Sequence, residues 1–211
     1  MAIQLGDTAP DFTAETTEGR LSLHEYLGDH WGLLFSHPAD FTPVCTTELG
    51  EFARRSDEFA KRNTKLIGVS VDSVDSHRRW SGDIAETQGQ GLNYPLVGDE
   101  DRTVANLYGM IHPKAIETAT VRTVFVIGPD RKVKLSLTYP ANVGRNVDEI
   151  LRVIDALQLS VGFAVSTPVN WTDGDEVIIS PALSDEEAKE QFPKGFRVLK
   201  PYLRLTPQPN R

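Results

Sequence analysis

Two apolar runs of strand length constrain this chain more than any other feature: Trp31-Gly32-Leu33-Leu34-Phe35-Ser36 and Lys65-Leu66-Ile67-Gly68-Val69-Ser70-Val71. Between them lies a stretch with helical spacing, so strand and helix patterns alternate. Further on, Val121 to Ile127 and Val133 to Leu137 are separated by the turn-rich Gly128-Pro129-Asp130-Arg131 and read as a hairpin. Helices are expected after Asp75 and over Thr103 to Tyr108, the latter closed by Gly109. A third helix is expected after Asn146, which with Glu149 resembles a capping box, because Val147, Ile150, Leu151, Ile154 and Leu157 then follow at helical spacing. Alternating strands and helices with one late hairpin predict an α/β domain whose mixed sheet is flanked by helices.

From about Ser160 the character changes. Pro168, Pro181, Pro193, Pro201, Pro207 and Pro209 interrupt the chain repeatedly, with one short helix expected at Ser184-Asp185-Glu186-Glu187. The predicted division is therefore a domain over residues 1–160 and a C-terminal extension over 161–211. The extension reads as an arm without an independent core, packing on its own domain or on a second subunit.

Composition restricts partners and compartment. With a formal charge of −8 and interspersed signs, the chain lacks the clustered positive charge that nucleic acid needs. No apolar run approaches the roughly 18 to 20 residues of a membrane span, and the first residues show no secretory pattern. A single cysteine among 211 residues excludes an intramolecular disulfide. Together these predict a reducing, cytoplasmic setting.

That cysteine stands in Phe35-Ser36-His37-Pro38-Ala39-Asp40-Phe41-Thr42-Pro43-Val44-Cys45-Thr46-Thr47-Glu48-Leu49. A strand ends near Ser36, a proline-bearing loop follows, and a helix begins with Thr42 as N-cap and Pro43 in its first position. Cys45 then lies in the first turn, where free N–H groups and the positive end of the dipole favour an anion. At 100° per residue, Cys45, Leu49, Phe52, Ser56 and Phe59 share the inward face, which leaves the sulfur partly sheltered. Helix geometry alone is equally compatible with a reactive thiolate and with an inert buried thiol.

Pro38-x-x-x-Thr42-x-x-Cys45 resembles the active-site signature of the peroxiredoxins, and the longer string through Gly50 is similar to the one-cysteine, peroxiredoxin-6-like branch. The resemblance runs from Gly6-Asp7-x-Ala9-Pro10-Asp11-Phe12 through Val71-Asp72-Ser73 and Gly144-Arg145-Asn146. It continues to Thr167-Pro168-Val169-Asn170-Trp171 and Leu205-Thr206-Pro207-Gln208-Pro209. It implies a thioredoxin-like domain, a C-terminal extension, a homodimer and no cofactor. It also implies that Cys45 is the nucleophile toward hydroperoxides, that Thr42 hydrogen-bonds the peroxide, and that Pro38 shields the sulfur. Arg122 would accompany the thiolate, with Glu48 and Arg145 orienting it. Each residue also has a quieter reading: Thr42 as a cap, Pro38 as a loop former, Arg122 as the partner of any carboxylate. His37 either contacts the peroxide or its sulfenic product, or satisfies loop backbone groups.

Attack on a peroxide turns the thiolate into a sulfenic acid. With no second cysteine, that product must be reduced by an external thiol, small reductant or redox protein. No metal is expected, since His24, His30, His77 and His112 show no ligand spacing. Some relatives carry a hydrolase string Gly-Asp-Ser-Trp-Gly; here it reads Gly28-Asp29-His30-Trp31-Gly32. His24 and Asp130 match the remaining positions, but without the serine hydroxyl no acyl transfer is expected. A dithiol reductase is excluded because Thr42 occupies the place of a first cysteine, whereas an added role as a holdase stays open.

Overall fold

The computed structural model describes residues 3–211. The chain forms two compact units, Met1–Val147 and Asp148–Arg211.

In the first unit, β1 (Thr13–Thr16) and β2 (Gly19–Ser22) form a hairpin, followed by α1 (Leu23–Leu27) and β3 (Trp31–Ser36). Then come α2 (Pro43–Arg54), α3 (Ser56–Lys61), β4 (Thr64–Ser70), α4 (Val74–Gln88), β5 (Leu96–Gly98), α5 (Thr103–Leu107), β6 (Arg122–Ile127) and β7 (Val133–Tyr139). The seven strands lie in the order β2-β1-β5-β4-β3-β6-β7. Pairs β3/β4 and β4/β5 are parallel, whereas β3/β6, β6/β7 and β1/β5 are antiparallel. This is the mixed sheet expected from the alternating pattern.

Every residue of β3 is buried, which explains why its sequence shows no in-out alternation. One face of the sheet carries Leu34, Ile67, Val69, Val97 and Phe125 against Leu23, Leu27, Tyr108 and Met110. Phe35 points the other way, stacks on Phe52 with ring centroids 4.4 Å apart, and meets Tyr94 edge-on. That contact seats α2 over the C-terminal end of β3. The helical spacing that extends to Phe59 is interrupted at Arg55 (φ −101°, ψ 12°), so two helices replace one while Phe59 remains buried beside Phe52.

The second unit includes most of α6 (Val147–Gly162), then β8 (Val165–Ser166), β9 (Val177–Ile179), α7 (Asp185–Gln191), β10 (Arg197–Lys200) and β11 (Leu203–Thr206). Its four strands form an antiparallel sheet in the order β10-β11-β9-β8. Ser184 and Glu187 close a reciprocal capping box at the start of α7. An arm lacking its own core was expected, but the unit has one: Leu159, Val165, Trp171, Val177, Ile179, Ala188 and Phe192 cluster together. These residues come from two helices, one loop and two very short strands, too scattered to produce a periodic signal. The compact unit begins at Asp148 and takes in α6 from that residue on.

Trp171 is the largest side chain of that cluster, and its Nε1–H donates to the Asp175 carbonyl at 3.2 Å. Trp171→Ala is expected to destabilise the second unit by about 3–5 kcal/mol. Hydrogen exchange should show protection lost in β9 and α7 while β3 and β4 remain protected.

Candidate active site

The cysteine helix begins as its sequence suggests. Thr42 is the N-cap with extended backbone, Pro43 follows, and the first intrahelical bond runs from Thr46 N–H to the Thr42 carbonyl. The N–H of Cys45 therefore lies in the turn that has no intrahelical acceptor. Thr42 does not cap with its side chain; its hydroxyl donates to the Ala39 carbonyl at 2.8 Å. With that proton engaged, the Thr42 oxygen keeps its lone pairs as acceptors. Pro38 is buried in the same loop.

Antiparallel pairing of β6 with β3 brings Arg122 to the mouth of α2, since Phe35 lies opposite Val124. Arg122 is 2% exposed; its Nη1 lies 3.4 Å from Cys45 Sγ and 2.6 Å from Glu48 Oε2, and its Nε donates to the Ala141 carbonyl at 3.0 Å. With the guanidinium against it, the sulfur is fully buried, more enclosed than the partial shelter expected.

Glu48 lies one helical turn beyond Cys45 and joins two cations. Arg145 Nη2 is 2.7 Å from Oε2, while its Nε and its backbone N–H reach Oε1 at 2.9 and 2.7 Å. Arg145 Nη1 also donates to the Ser36 carbonyl at 2.9 Å, tying the network to the end of β3. The Arg145 guanidinium sits over Phe35 and Phe52, 5.2 and 5.6 Å from their centroids. Burial alone pushes the Glu48 carboxyl up, but Arg145 and then Arg122 outweigh it and hold it below the usual carboxylate range. The structure thus gathers Cys45, Arg122, Glu48 and Arg145 into one bonded group, with Thr42 and Pro38 on the adjoining loop.

His37 is fully buried, and its Nε2 lies 2.9 Å from Asp40 Oδ1. Burial holds this imidazole below its ordinary value, the contact with Asp40 acting in the opposite direction. The other Asp40 oxygen is 2.7 Å from His77 Nδ1, and His77 Nε2 is 3.1 Å from the Val97 carbonyl. Burial would raise the Asp40 carboxyl, yet hydrogen bonds from His37 and His77 hold it well below the usual range. Trp80 lies 5.3 Å from the His37 ring and donates to Thr46 Oγ1 at 3.2 Å. Sequence reasoning missed Asp40, His77 and Trp80 as neighbours of the reactive loop. Asp40 stands three residues from His37, but nothing in the order of residues ties either to α4. His24 and His30 each face a backbone carbonyl, Ala9 at 2.8 Å and Leu27 at 3.1 Å.

Comparison with known proteins bears on this geometry. Residues 5–136 match the AhpC/TSA family, and residues 156–195 match the C-terminal domain of 1-Cys peroxiredoxin. The chain is 53% identical to a 1-Cys peroxiredoxin of Dictyostelium discoideum, over 99% of this chain and 87% of that one. It is likewise 53% identical to peroxiredoxin-6 of Mus musculus, over 97% of each. Among solved structures, a cysteine-to-serine mutant of peroxiredoxin 6 from Arenicola marina superposes with a TM-score of 0.94 at 47% identity, covering 100% of both chains. A yeast mitochondrial 1-Cys peroxiredoxin gives 0.91 at 50% identity, covering 97% of this chain and 99% of that one. A lone cysteine at a helix start, matched over both segments of the sequence, places this chain in the peroxiredoxin family of thiol-dependent peroxidases, in its one-cysteine branch.

Proposed function

We propose that Cys45 is the peroxidatic nucleophile and that Arg122, Thr42, Pro38, Glu48, Arg145 and His37 make up its site. The Cys45 thiolate attacks one oxygen of a hydroperoxide, hydrogen peroxide or an organic one. A sulfur–oxygen bond forms as the oxygen–oxygen bond breaks, and the second oxygen leaves as hydroxide or alkoxide and takes a proton from solvent. Charge moves from sulfur onto oxygen along the reaction path, so donors already in place lower the barrier. Arg122 Nη1 and the Cys45 N–H are such donors, and the Thr42 oxygen accepts from the hydroperoxide O–H.

One observation carries this reading: Arg122 Nη1 touches both the sulfur and Glu48. Arg122 and Arg145 bring two positive charges to a buried group in which Glu48 supplies one negative charge. A thiolate at Cys45 completes the neutrality of the set, which a low-dielectric interior favours. Glu48→Gln is expected to destabilise the protein by about 3–5 kcal/mol, because two buried guanidinium groups lose their counter-ion. It should also slow Cys45 oxidation. Since the Glu48 carboxyl is held below its ordinary range, its contribution is complete above the unfolded value and is lost as pH falls through the folded one. The acid limb of the wild-type stability curve should therefore flatten in Glu48→Gln, as read by urea midpoints against pH.

The chain holds one cysteine, so the sulfenic acid is resolved from outside. The yeast relative's resolving mechanism is described through glutathione and thioredoxin systems, which supports an external thiol or redox protein here as well. In stopped-flow experiments without thiol, peroxide consumption should stop near one equivalent per subunit and be absent in Cys45→Ser. Sustained turnover without any reductant would overturn the one-cysteine cycle.

We further infer a homodimer acting in the cytoplasm. The single unpaired cysteine suits a reducing compartment, and none of the described helices is long and apolar enough to cross a membrane. Val198, Leu199 and Tyr202 are 56%, 48% and 70% exposed, on and just after the edge strand β10. Apolar side chains on an open sheet edge favour pairing with a second copy. Sedimentation equilibrium should return twice the 23.4 kDa chain mass; a monomer at micromolar concentration would exclude the dimer.

A further inference from the structure

The buried His37–Asp40–His77 array has a polar inventory that assigns its hydrogens. His37 Nε2 faces Asp40 Oδ1 at 2.9 Å, while His37 Nδ1 is buried and has no hydrogen-bond partner among the described residues. An ionised carboxylate has nothing to donate, so the proton in the first contact belongs to His37 Nε2. A neutral imidazole carries one ring proton, which leaves Nδ1 as a bare acceptor in the interior. Both nitrogens of His77 face acceptors, Asp40 Oδ2 at 2.7 Å and the Val97 carbonyl at 3.1 Å. His77 therefore donates to Asp40 and competes with nothing at His37.

From this arrangement we infer that Asp40, backed by His77, is a positioning residue for the peroxidase site: it fixes His37 as the Nε2–H tautomer and keeps Nδ1 free to accept a proton. The inference rests on the reading that His37 serves the hydroperoxide or the sulfenic acid. Three contacts tie the array to the elements around it. The His37 carbonyl accepts from Thr120 Oγ1 at 2.6 Å, two residues before Arg122. The His37 ring packs against Trp80, whose indole donates to Thr46 beside Cys45. Asp40 belongs to the same loop as Pro38 and Thr42, and its N–H donates to Asp72 Oδ2 at 3.1 Å. A buried acceptor with its hydrogen assigned elsewhere suits a ligand that brings an O–H, which both a hydroperoxide and a sulfenic acid do.

The three side chains also offer ligand atoms within 4.8 Å of one another, a spacing a transition metal could use. A metal would have to displace the proton on His37 Nε2 and the proton on His77 Nδ1. The contacts of 2.9 and 2.7 Å to Asp40 are those of hydrogen bonds already made.

The test uses reduced, full-length protein with 15N-labelled histidine. Proton–nitrogen correlation spectra at neutral pH should show His37 protonated at Nε2 and bare at Nδ1. A proton on Nδ1, or stoichiometric zinc retained by the trio after dialysis, would overturn the inference. Asp40→Asn should shift His37 toward the other tautomer and slow Cys45 oxidation on the order of tenfold or more, in line with the loss of a group that orients a reacting one. An asparagine at position 37 keeps an acceptor near the place of Nδ1 without any tautomer to fix. In the His37→Asn background, Asp40→Asn should therefore cause little further slowing, whereas full additivity of the two changes would show that Asp40 acts by another route. If His37→Ala leaves the rate untouched, the role of His37 itself fails. If His37→Ala slows oxidation and the spectra show Nδ1–H, only the tautomer assignment fails.

Discussion

Glu48 is the junction on which the candidate active site depends. Its two oxygens accept from Arg145 and Arg122, and Arg122 in turn touches the sulfur. Isolated, any one of these charges would be unfavourable in a buried setting; joined, they leave a net positive field at Cys45. A helix dipole alone would give a weaker and less directional field, spread over the first turn. The guanidinium adds a directed N–H, which is what a reaction that relocates negative charge can use.

The loop between β3 and α2 is held with comparable firmness. Phe41 adopts φ +53°, a left-handed conformation that costs a non-glycine residue roughly 1–2 kcal/mol. Its neighbour Asp40 offsets that strain by bonding two histidines and, through its N–H, Asp72. Strain of this kind persists only where the surroundings over-determine the backbone, and here it turns the chain so that Thr42 enters the helix beside the sulfur. Loop and cation network meet at the end of β3, where Ser36 accepts from Arg145 and His37 begins the array.

The second unit shows how little periodicity a small core requires. Trp171 is buried from a loop, Phe192 from a helix end, and Val177 and Ile179 from a three-residue strand. None of these segments is long enough to display alternation or helical spacing, so proline content dominated the reading. Folding still succeeds there because one large aromatic gathers several small apolar contributions around it.

Much of the fold and of the reactive helix was legible in the order of residues. Buried strands announce themselves as unbroken apolar runs, and Thr42-Pro43 marks a helix start, because both signals are local. The position of Cys45 in the first turn follows from that start, and the lack of a resolving thiol follows from a count. Without the motif resemblance, however, nothing in the sequence singles out Arg122 from the other arginines. The antiparallel pairing of β6 with β3 carries it across 77 positions to the sulfur, and the α4 crossover brings His77 to Asp40 across 37. Local propensities act over a few residues, whereas strand register acts at any separation. The sequence therefore determined the proposed nucleophile and its helix, and the tertiary structure alone decided which charges and hydrogen bonds surround it.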